Sequence, residues 1–319
     1  MELRLKTLRI GIQHLSFLVM IYGGRFGIHL GPALPCFACP FVPGCGGFCY
    51  LMGLQGYIGF GMSAGAVSGA ALFTALGWLA VFVLLVAMLG KTWCGWICPF
   101  GLLCDWLTAL RRRLGIRERQ ISQASKKRLA RIKYVLLALL VLIPPLATFG
   151  ILHEDFYLPF CGICPGKSLL PLFAGETKYL AINFDNVVTI GFSLALLIVT
   201  GGMLVGMFFK ERFFCIFCPL LAMMHFLKPV TLLRLVKEPS ACIGCGNCRR
   251  MCPMDIEEVY RERTSRDVQT EECIDCGSCV EACPSDSALG IYLLHFFKAG
   301  LFVSSRKYAA HVGRKNESV

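Results

Sequence analysis

The order of apolar and polar positions divides the chain into long greasy runs separated by short charged ones. A helix needs about 20 mainly apolar residues to cross a bilayer. Four stretches supply this: roughly 10–30, interrupted by His14, Arg25 and His29; 71–90, with an unbroken run from Trp78 to Val86; 134–152, with Pro144-Pro145 as a kink; and 187–209. From Phe26 to Gly90 there is no Asp, Glu, Lys or Arg, and that is too long for one span. Its middle, 53–70, is rich in Gly, Ala and Ser, which permit close backbone packing in membranes. We expect it to be re-entrant rather than a crossing. Residues 289–303 are apolar apart from His295 and Lys298. They are too short to span comfortably and read as an interfacial helix or a partner contact ahead of a polar, disordered tail.

Charge sets the orientation. Eleven Lys and Arg fall between Lys91 and Lys133 and fifteen from Lys210 onward, with two between His153 and Asp185 and none from Gly31 to Ala70. The positive-inside rule places both termini and the 91–133 loop in the cytoplasm of a multi-pass inner-membrane protein. The 319 residues are 56% hydrophobic and 16% charged, with a mean hydropathy of +0.63. Soluble domains carry roughly 25% charged residues. The net charge of +12 therefore reports topology, and no nucleic-acid partner is expected. The N-terminal apolar stretch lacks a small-residue cleavage site and reads as an uncleaved first helix.

Nineteen cysteines add chemistry that a plain helical bundle would not need. Cys242-Ile-Gly-Cys245-Gly-Asn-Cys248-Arg-Arg-Met-Cys252-Pro253 is followed by Cys273-Ile-Asp-Cys276-Gly-Ser-Cys279-Val-Glu-Ala-Cys283-Pro284. Both are the bacterial ferredoxin run, in which the fourth cysteine ligates the other run's cluster. One [4Fe–4S] cluster is thus assigned to Cys242, Cys245, Cys248 and Cys283, the other to Cys273, Cys276, Cys279 and Cys252. Structural zinc also uses close cysteine pairs, but two complete tandem runs favour clusters. The expected domains are 1–236 in the membrane, a ferredoxin domain at 237–290, and the tail at 291–319.

Eight further cysteines form four pairs, each ending in Cys-Pro: Cys36/Cys39, Cys94/Cys98, Cys161/Cys164 and Cys215/Cys218. The topology puts Cys94/Cys98 and Cys215/Cys218 at the inner face and the other two pairs at the outer face. Each half then repeats outward helix, outer pair, inward helix, inner pair. Two related halves brought face to face would supply four thiolates at each meeting. We expect an inner cluster on Cys94, Cys98, Cys215 and Cys218, and an outer one on Cys36, Cys39, Cys161 and Cys164. In an oxidising compartment the outer pairs are alternatively disulfides or a dithiol site. Cys45 and Cys49 are candidate extra ligands. A single-loop set of Cys36, Cys39, Cys45 and Cys49 ranks second, because it strands Cys161 and Cys164. Cys104 reads as packing.

The segments Trp93-Cys94-Gly95-Trp96-Ile97-Cys98-Pro99 and Phe214-Cys215-Ile216-Phe217-Cys218-Pro219, followed by a double ferredoxin run, resemble the NapH-type membrane iron–sulfur proteins over roughly 74–289. The family includes quinol dehydrogenase subunits and the membrane part of the nitrous oxide reductase accessory protein. The resemblance implies a mainly α fold, with a four-helix transmembrane bundle and a small α+β 2[4Fe–4S] ferredoxin domain. It also implies electron exchange with the quinone pool or with other subunits of a membrane redox complex. The second inner pair is spaced by two residues rather than the family's three, and the outer pairs are additional. These differences favour a transmembrane iron–sulfur conduit. The alternatives are a quinol dehydrogenase with its own quinone site, for which Asp105, His225 and Glu154 are candidates, and a metal-reducing assembly or regulatory factor.

Overall fold

The computed structural model describes residues 5–29, 35–36, 39–63, 69–293 and 299–304. The chain forms two compact units. The first takes in the chain through His14, Val86–Ile97, and everything from Met224 onward; the second is Leu15–Leu85 with Cys98–Met223.

Helices dominate the first three quarters of the sequence. Helix α1 (Leu5–Tyr22) ends where Gly23 opens a 3-10 turn, and Gly27 leaves that turn at φ 73°. Two short parallel strands, β1 (Pro35–Cys36) and β2 (Phe48–Cys49), precede α2 (Tyr50–Ser63) and α3 (Gly69–Leu89). The expected re-entrant stretch 53–70 is therefore largely helical, and 64–68 lie outside the described residues. Gly53 lets α2 approach α3, because a Cβ there would stand 2.1 Å from the Trp78 ring. Tyr50 stacks on Phe82 at 3.9 Å.

After a π-helical turn at Trp93–Ile97 come α4 (Pro99–Arg113) and α5 (Gln123–Thr148). Helix α5 starts earlier than hydropathy suggests because Ser122 caps it, accepting from the Ser125 amide at 3.2 Å. Short helices α6 (Pro159–Ile163) and α7 (Pro165–Leu172) lead to α8 (Val187–Phe209). A capping box between Asn186 and Thr189 fixes the start of α8. Helices α9 (Phe213–Phe217) and α10 (Pro219–Phe226) follow.

Among the described residues two helices, α5 and α8, are long and apolar enough to cross a membrane. Only 22% and 11% of their apolar windows is buried. Their greasy sides thus face outward rather than into a core. The other two expected spans do not reach that standard. The described apolar run of α3, Leu76–Leu89, is shorter, and α1 carries Lys6, Arg9, Gln13 and His14 along 18 residues.

The remainder is small and mixed. Strands β3 (Leu233–Lys237), β4 (Leu289–Leu293) and β5 (Ala299–Val303) form an antiparallel sheet in that order. Where an interfacial helix was expected over 289–303, the described residues Leu289–Leu293 and Ala299–Val303 are strands. Burial along β3 alternates strictly, and β4 pairs with it from Leu233↔Leu293 to Lys237↔Leu289, so tertiary pairing decides the conformation of this apolar segment. One-turn helices α11 (Asn247–Arg250), α12 (Glu258–Arg261) and α13 (Ser278–Glu281) complete the unit.

Candidate iron–sulfur centres

The two ferredoxin runs fold alike. Gly246 and Gly277, at φ 75° and 74°, turn the chain into α11 and α13. This conformation costs glycine nothing, and it carries Cys248 and Cys279 round beside the earlier cysteines of each run. Cys242, Cys245, Cys248 and Cys283 line one cavity. Cys252, Cys273, Cys276 and Cys279 line a second. Each fourth cysteine lines the other run's cavity.

The sulfurs receive donors. Arg263 Nη1 lies 3.3 Å from Cys242 Sγ, and the Ile256 amide 3.4 Å from Cys252 Sγ. Backbone amides of Asp275 and Val280 serve Cys273 and Cys279. Burial pushes the Cys273 and Cys279 thiols well above their ordinary range, so their thiolates need a bound metal to displace the proton. Among the described residues no group of three or more His, Cys, Asp or Glu could hold a metal ion. A cubane offers separate iron corners, so its thiols do not converge on one atom. Four thiols around one cavity, several of them with N–H donors, fit a [4Fe–4S] cluster.

Within the same unit the segment bearing Cys94 is seated on the second ferredoxin loop. A Cβ on Gly95 would lie 2.4 Å from the Ile274 carbonyl oxygen and 3.0 Å from Cys276 Cα. Trp96 Nε1 donates to the Asp275 carbonyl at 3.0 Å. Lys91, 1% exposed, donates to the carbonyls of Thr270 and Glu271, both at 2.9 Å. Buried Gln13 donates to the Gly95 carbonyl at 3.0 Å, and Arg9 to Ser278 Oγ at 3.0 Å. Cys94 Sγ lies 3.6 Å from Met224 Sδ. Sequence reasoning missed this seat, because a close backbone approach through one glycine and donors to carbonyls leave no motif.

Three Cys-Pro steps share one geometry. Proline pushes the residue before it out of the helical region. Cys98, Cys164 and Cys218 accordingly have ψ of 120°, 121° and 115°. Each stands at the break between two helical segments, with Pro opening the next helix. Free backbone amides there can reach the sulfur. Leu220 and Leu221 donate to Cys218, and Gly166 and Lys167 to Cys164. Cys98 and Cys218 are each close enough to Cys215 to interact with it electrostatically. Burial pushes Cys215 up to about 12, and adjacent Arg212 opposes the rise. Phe100 stacks on Phe214 at 4.4 Å beside them. Cys104 is fully buried with its Sγ 3.3 Å from Met207 Sδ, a packing contact.

Three of the expected outer cysteines, Cys39, Cys161 and Cys164, interact with one another and with Cys49. Cys39 interacts with Cys164, Cys49 and Cys161, and Cys161 with Cys49 and Cys164. The backbone of Cys36 pairs with that of Cys49 across β1 and β2, while its side chain lies outside the described residues. Cys45 Sγ is 3.1 Å from the Gly47 carbonyl oxygen.

Of the quinone candidates, Asp105 lies on α4 in the second unit. Asp105 accepts from Arg212 Nη2 at 2.6 Å. Arg212 is 1% exposed, so this carboxylate is committed to a buried cation. His225 lies on α10 in the first unit, and the Glu154 side chain lies outside the described residues.

Both cavities thus have the cysteine set of a bacterial-type double [4Fe–4S] ferredoxin. A 4Fe-4S binding domain model matches twice, over 70–117 and 192–234, and a 4Fe-4S dicluster domain model matches 234–284. The two copies of the first model each contain one inner cysteine pair. The chain is 28% identical over 183 residues to an uncharacterized protein of Methanocaldococcus jannaschii, covering 56% of this chain and 65% of that one. It is 28% identical to the ferredoxin-type protein NapH of Haemophilus influenzae, covering 54% and 52%. With the regulatory protein NosR of Pseudomonas aeruginosa it shares 27% identity, covering 52% and 20%. The chain spans less than two thirds of the length of each of these relatives. No solved structure matches it. The chain is thus similar to 4Fe-4S proteins, among them the ferredoxin-type protein NapH.

Proposed function

We propose that the chain is a membrane-embedded subunit that passes electrons between two cytoplasmic ferredoxin clusters and clusters at the membrane faces, within a larger redox complex. The ferredoxin clusters take the ligand sets given above. The inner pairs, Cys94/Cys98 and Cys215/Cys218, supply four thiolates for a third. Four spans with both termini cytoplasmic set the frame, and partner subunits or the quinone pool stand at the ends of the chain of centres.

The observation that carries this reading is the seat of Gly95 on the Cys273–Cys276 loop. It puts the residue next to Cys94 in van der Waals contact with the backbone of a ferredoxin ligand. A soluble ferredoxin tethered to a bundle for other reasons would not need a membrane-motif glycine held there by Trp96, Gln13 and Lys91. The protein's part is to fix centre-to-centre spacing, exclude water and supply hydrogen bonds to sulfur, while the clusters supply one-electron chemistry.

Iron and acid-labile sulfide analysis of anaerobically purified protein should show more than two cubanes. Cys94→Ser and Cys215→Ser should each remove the same paramagnetic signal and spare those of the ferredoxin clusters. A chain holding only two cubanes, or variants that lose none, would refute the conduit.

A further inference from the structure

The geometry points to a [4Fe–4S] site at the outer face whose four ligands are Cys39, Cys49, Cys161 and Cys164. This rests on the iron–sulfur reading above and extends it to a ligand that the Cys-Pro spacing hides.

Four thiols come together from well-separated parts of one unit. Cys39 lies ahead of a turn, Cys49 ends β2 directly before α2, Cys161 is in α6, and Cys164 stands at the break before α7. Each sulfur has an N–H donor. The Phe41 amide serves Cys39, those of Leu51 and Met52 serve Cys49, and those of Gly166 and Lys167 serve Cys164. Cys161 is served by a side chain. Gln55 is fully buried, and its Nε2 lies 3.6 Å from Cys161 Sγ. The orientation of that amide is fixed, because Oε1 accepts the Phe160 amide at 3.0 Å and Nε2 also donates to the Leu51 carbonyl at 3.0 Å. A buried glutamine aimed at sulfur and four capped thiols make a built site, not a chance cluster of apolar cysteines.

Charge agrees. A cubane with four thiolates is anionic, and Lys167 lies close enough to Cys161 and Cys164 to favour their thiolates. Lys167 Nζ is also 5.0 Å from the centre of the Phe41 ring, which holds the cation beside the turn that carries Cys39. The single-loop alternative needs Cys45, whose thiol is turned to the Gly47 carbonyl. A disulfide joins two sulfurs and leaves unexplained why donors serve all four.

The test uses the full chain, purified anaerobically in detergent, with iron and sulfide counted and reduced clusters followed by paramagnetic resonance. The wild-type protein should contain one cubane beyond those lost on Cys94→Ser and on replacement of the ferredoxin ligands. Cys49→Ser should lose that cubane alone, whereas Cys36→Ser and Cys45→Ser should keep it. Loss on Cys36→Ser with retention on Cys49→Ser would overturn the assignment, as would a disulfide among the four in the native protein. The wild-type count stands even where a variant fails to fold. A protein with the ferredoxin and inner cubanes but no more refutes this site and leaves the proposed function intact; one with the ferredoxin cubanes alone refutes both.

Discussion

Gly95→Ala is the sharpest probe of the contact between the membrane motif and the ferredoxin loop. The new Cβ would meet the Ile274 carbonyl oxygen at 2.4 Å, where ordinary contact begins near 3.4 Å. The segment must therefore withdraw by about 1 Å, and both opposing atoms are backbone, so no side chain can swing aside. Overpacking of this kind typically costs about 1–3 kcal/mol. Withdrawal also stretches the Trp96–Asp275 and Gln13–Gly95 hydrogen bonds, both 3.0 Å. At about 2–4 °C per kcal/mol for a domain of 150–250 residues, the melting temperature of the holoprotein should fall by several degrees. The functional readout is separate. After rapid reduction of the ferredoxin clusters, electron arrival at the membrane cluster, followed by freeze-quench resonance, should slow while every cluster is still present. Unchanged arrival kinetics together with an unchanged melting temperature would show that Gly95 is not a tight seat, and the carrying observation of the proposed function would go with it.

Pro219→Ala frees Cys218 to become helical. Because an interior proline disfavours a helix by about 3 kcal/mol, its removal should let Phe213–Phe217 and Pro219–Phe226 join, and the inner cluster signal should be lost with far-ultraviolet dichroism unchanged or slightly stronger. Arg263→Gln removes a cationic donor 3.3 Å from Cys242 Sγ; an exposed hydrogen bond worth about 1 kcal/mol corresponds to roughly 40 mV for one electron, so a redox titration should find one ferredoxin cluster lower by about that amount and the other unmoved. The Glu262 carboxylate is held down to about 2 by the amide of Ser265 and by Thr264. Its folded pKa lies below its ordinary value of 4.5, so its stabilisation is complete above about 4.5 and fades as pH falls towards 2. The stability gap between wild type and Glu262→Gln, read from loss of cluster absorbance during acid titration, should shrink across that window and stay constant above it.

Some of this was legible in the sequence and some was not, for physical reasons. The ferredoxin runs announce themselves because three of four ligands sit on one short loop, so local spacing encodes most of the site. The helix over 187–209 was legible because it is uniformly apolar and capped. Spacing joins Cys39 to Cys36, and no local pattern signals that Cys39, Cys49, Cys161 and Cys164, from distant segments, interact with one another. The 289–303 stretch was misread as a helix because its conformation is set by pairing with Leu233–Lys237, some 50 residues earlier. Buried Lys91 and Gln13 carried no signal at all, since each works by donating to carbonyl oxygens that any sequence would provide.

The Cys-Pro step connects these levels. Six such steps occur in the chain, at Cys39, Cys98, Cys164, Cys218, Cys252 and Cys283. Proline forces its cysteine out of the helix and then, at three of them, starts a new helix at its first position, where its missing N–H costs nothing. The next amides have no intrahelical acceptor, and at Cys164 and Cys218 they turn to the thiol. One dipeptide thereby breaks a helix, places a sulfur at the break and, at Cys164 and Cys218, surrounds it with donors that favour the thiolate. Three of these steps fall in helical segments, where the break is the essential effect. At Cys252 and Cys283 no helix follows, so proline there serves only to turn the chain away, and each of these cysteines lines the neighbouring run's cavity. The same two residues therefore act by different halves of one mechanism, breaking a helix at Cys98, Cys164 and Cys218 and turning the chain at Cys252 and Cys283.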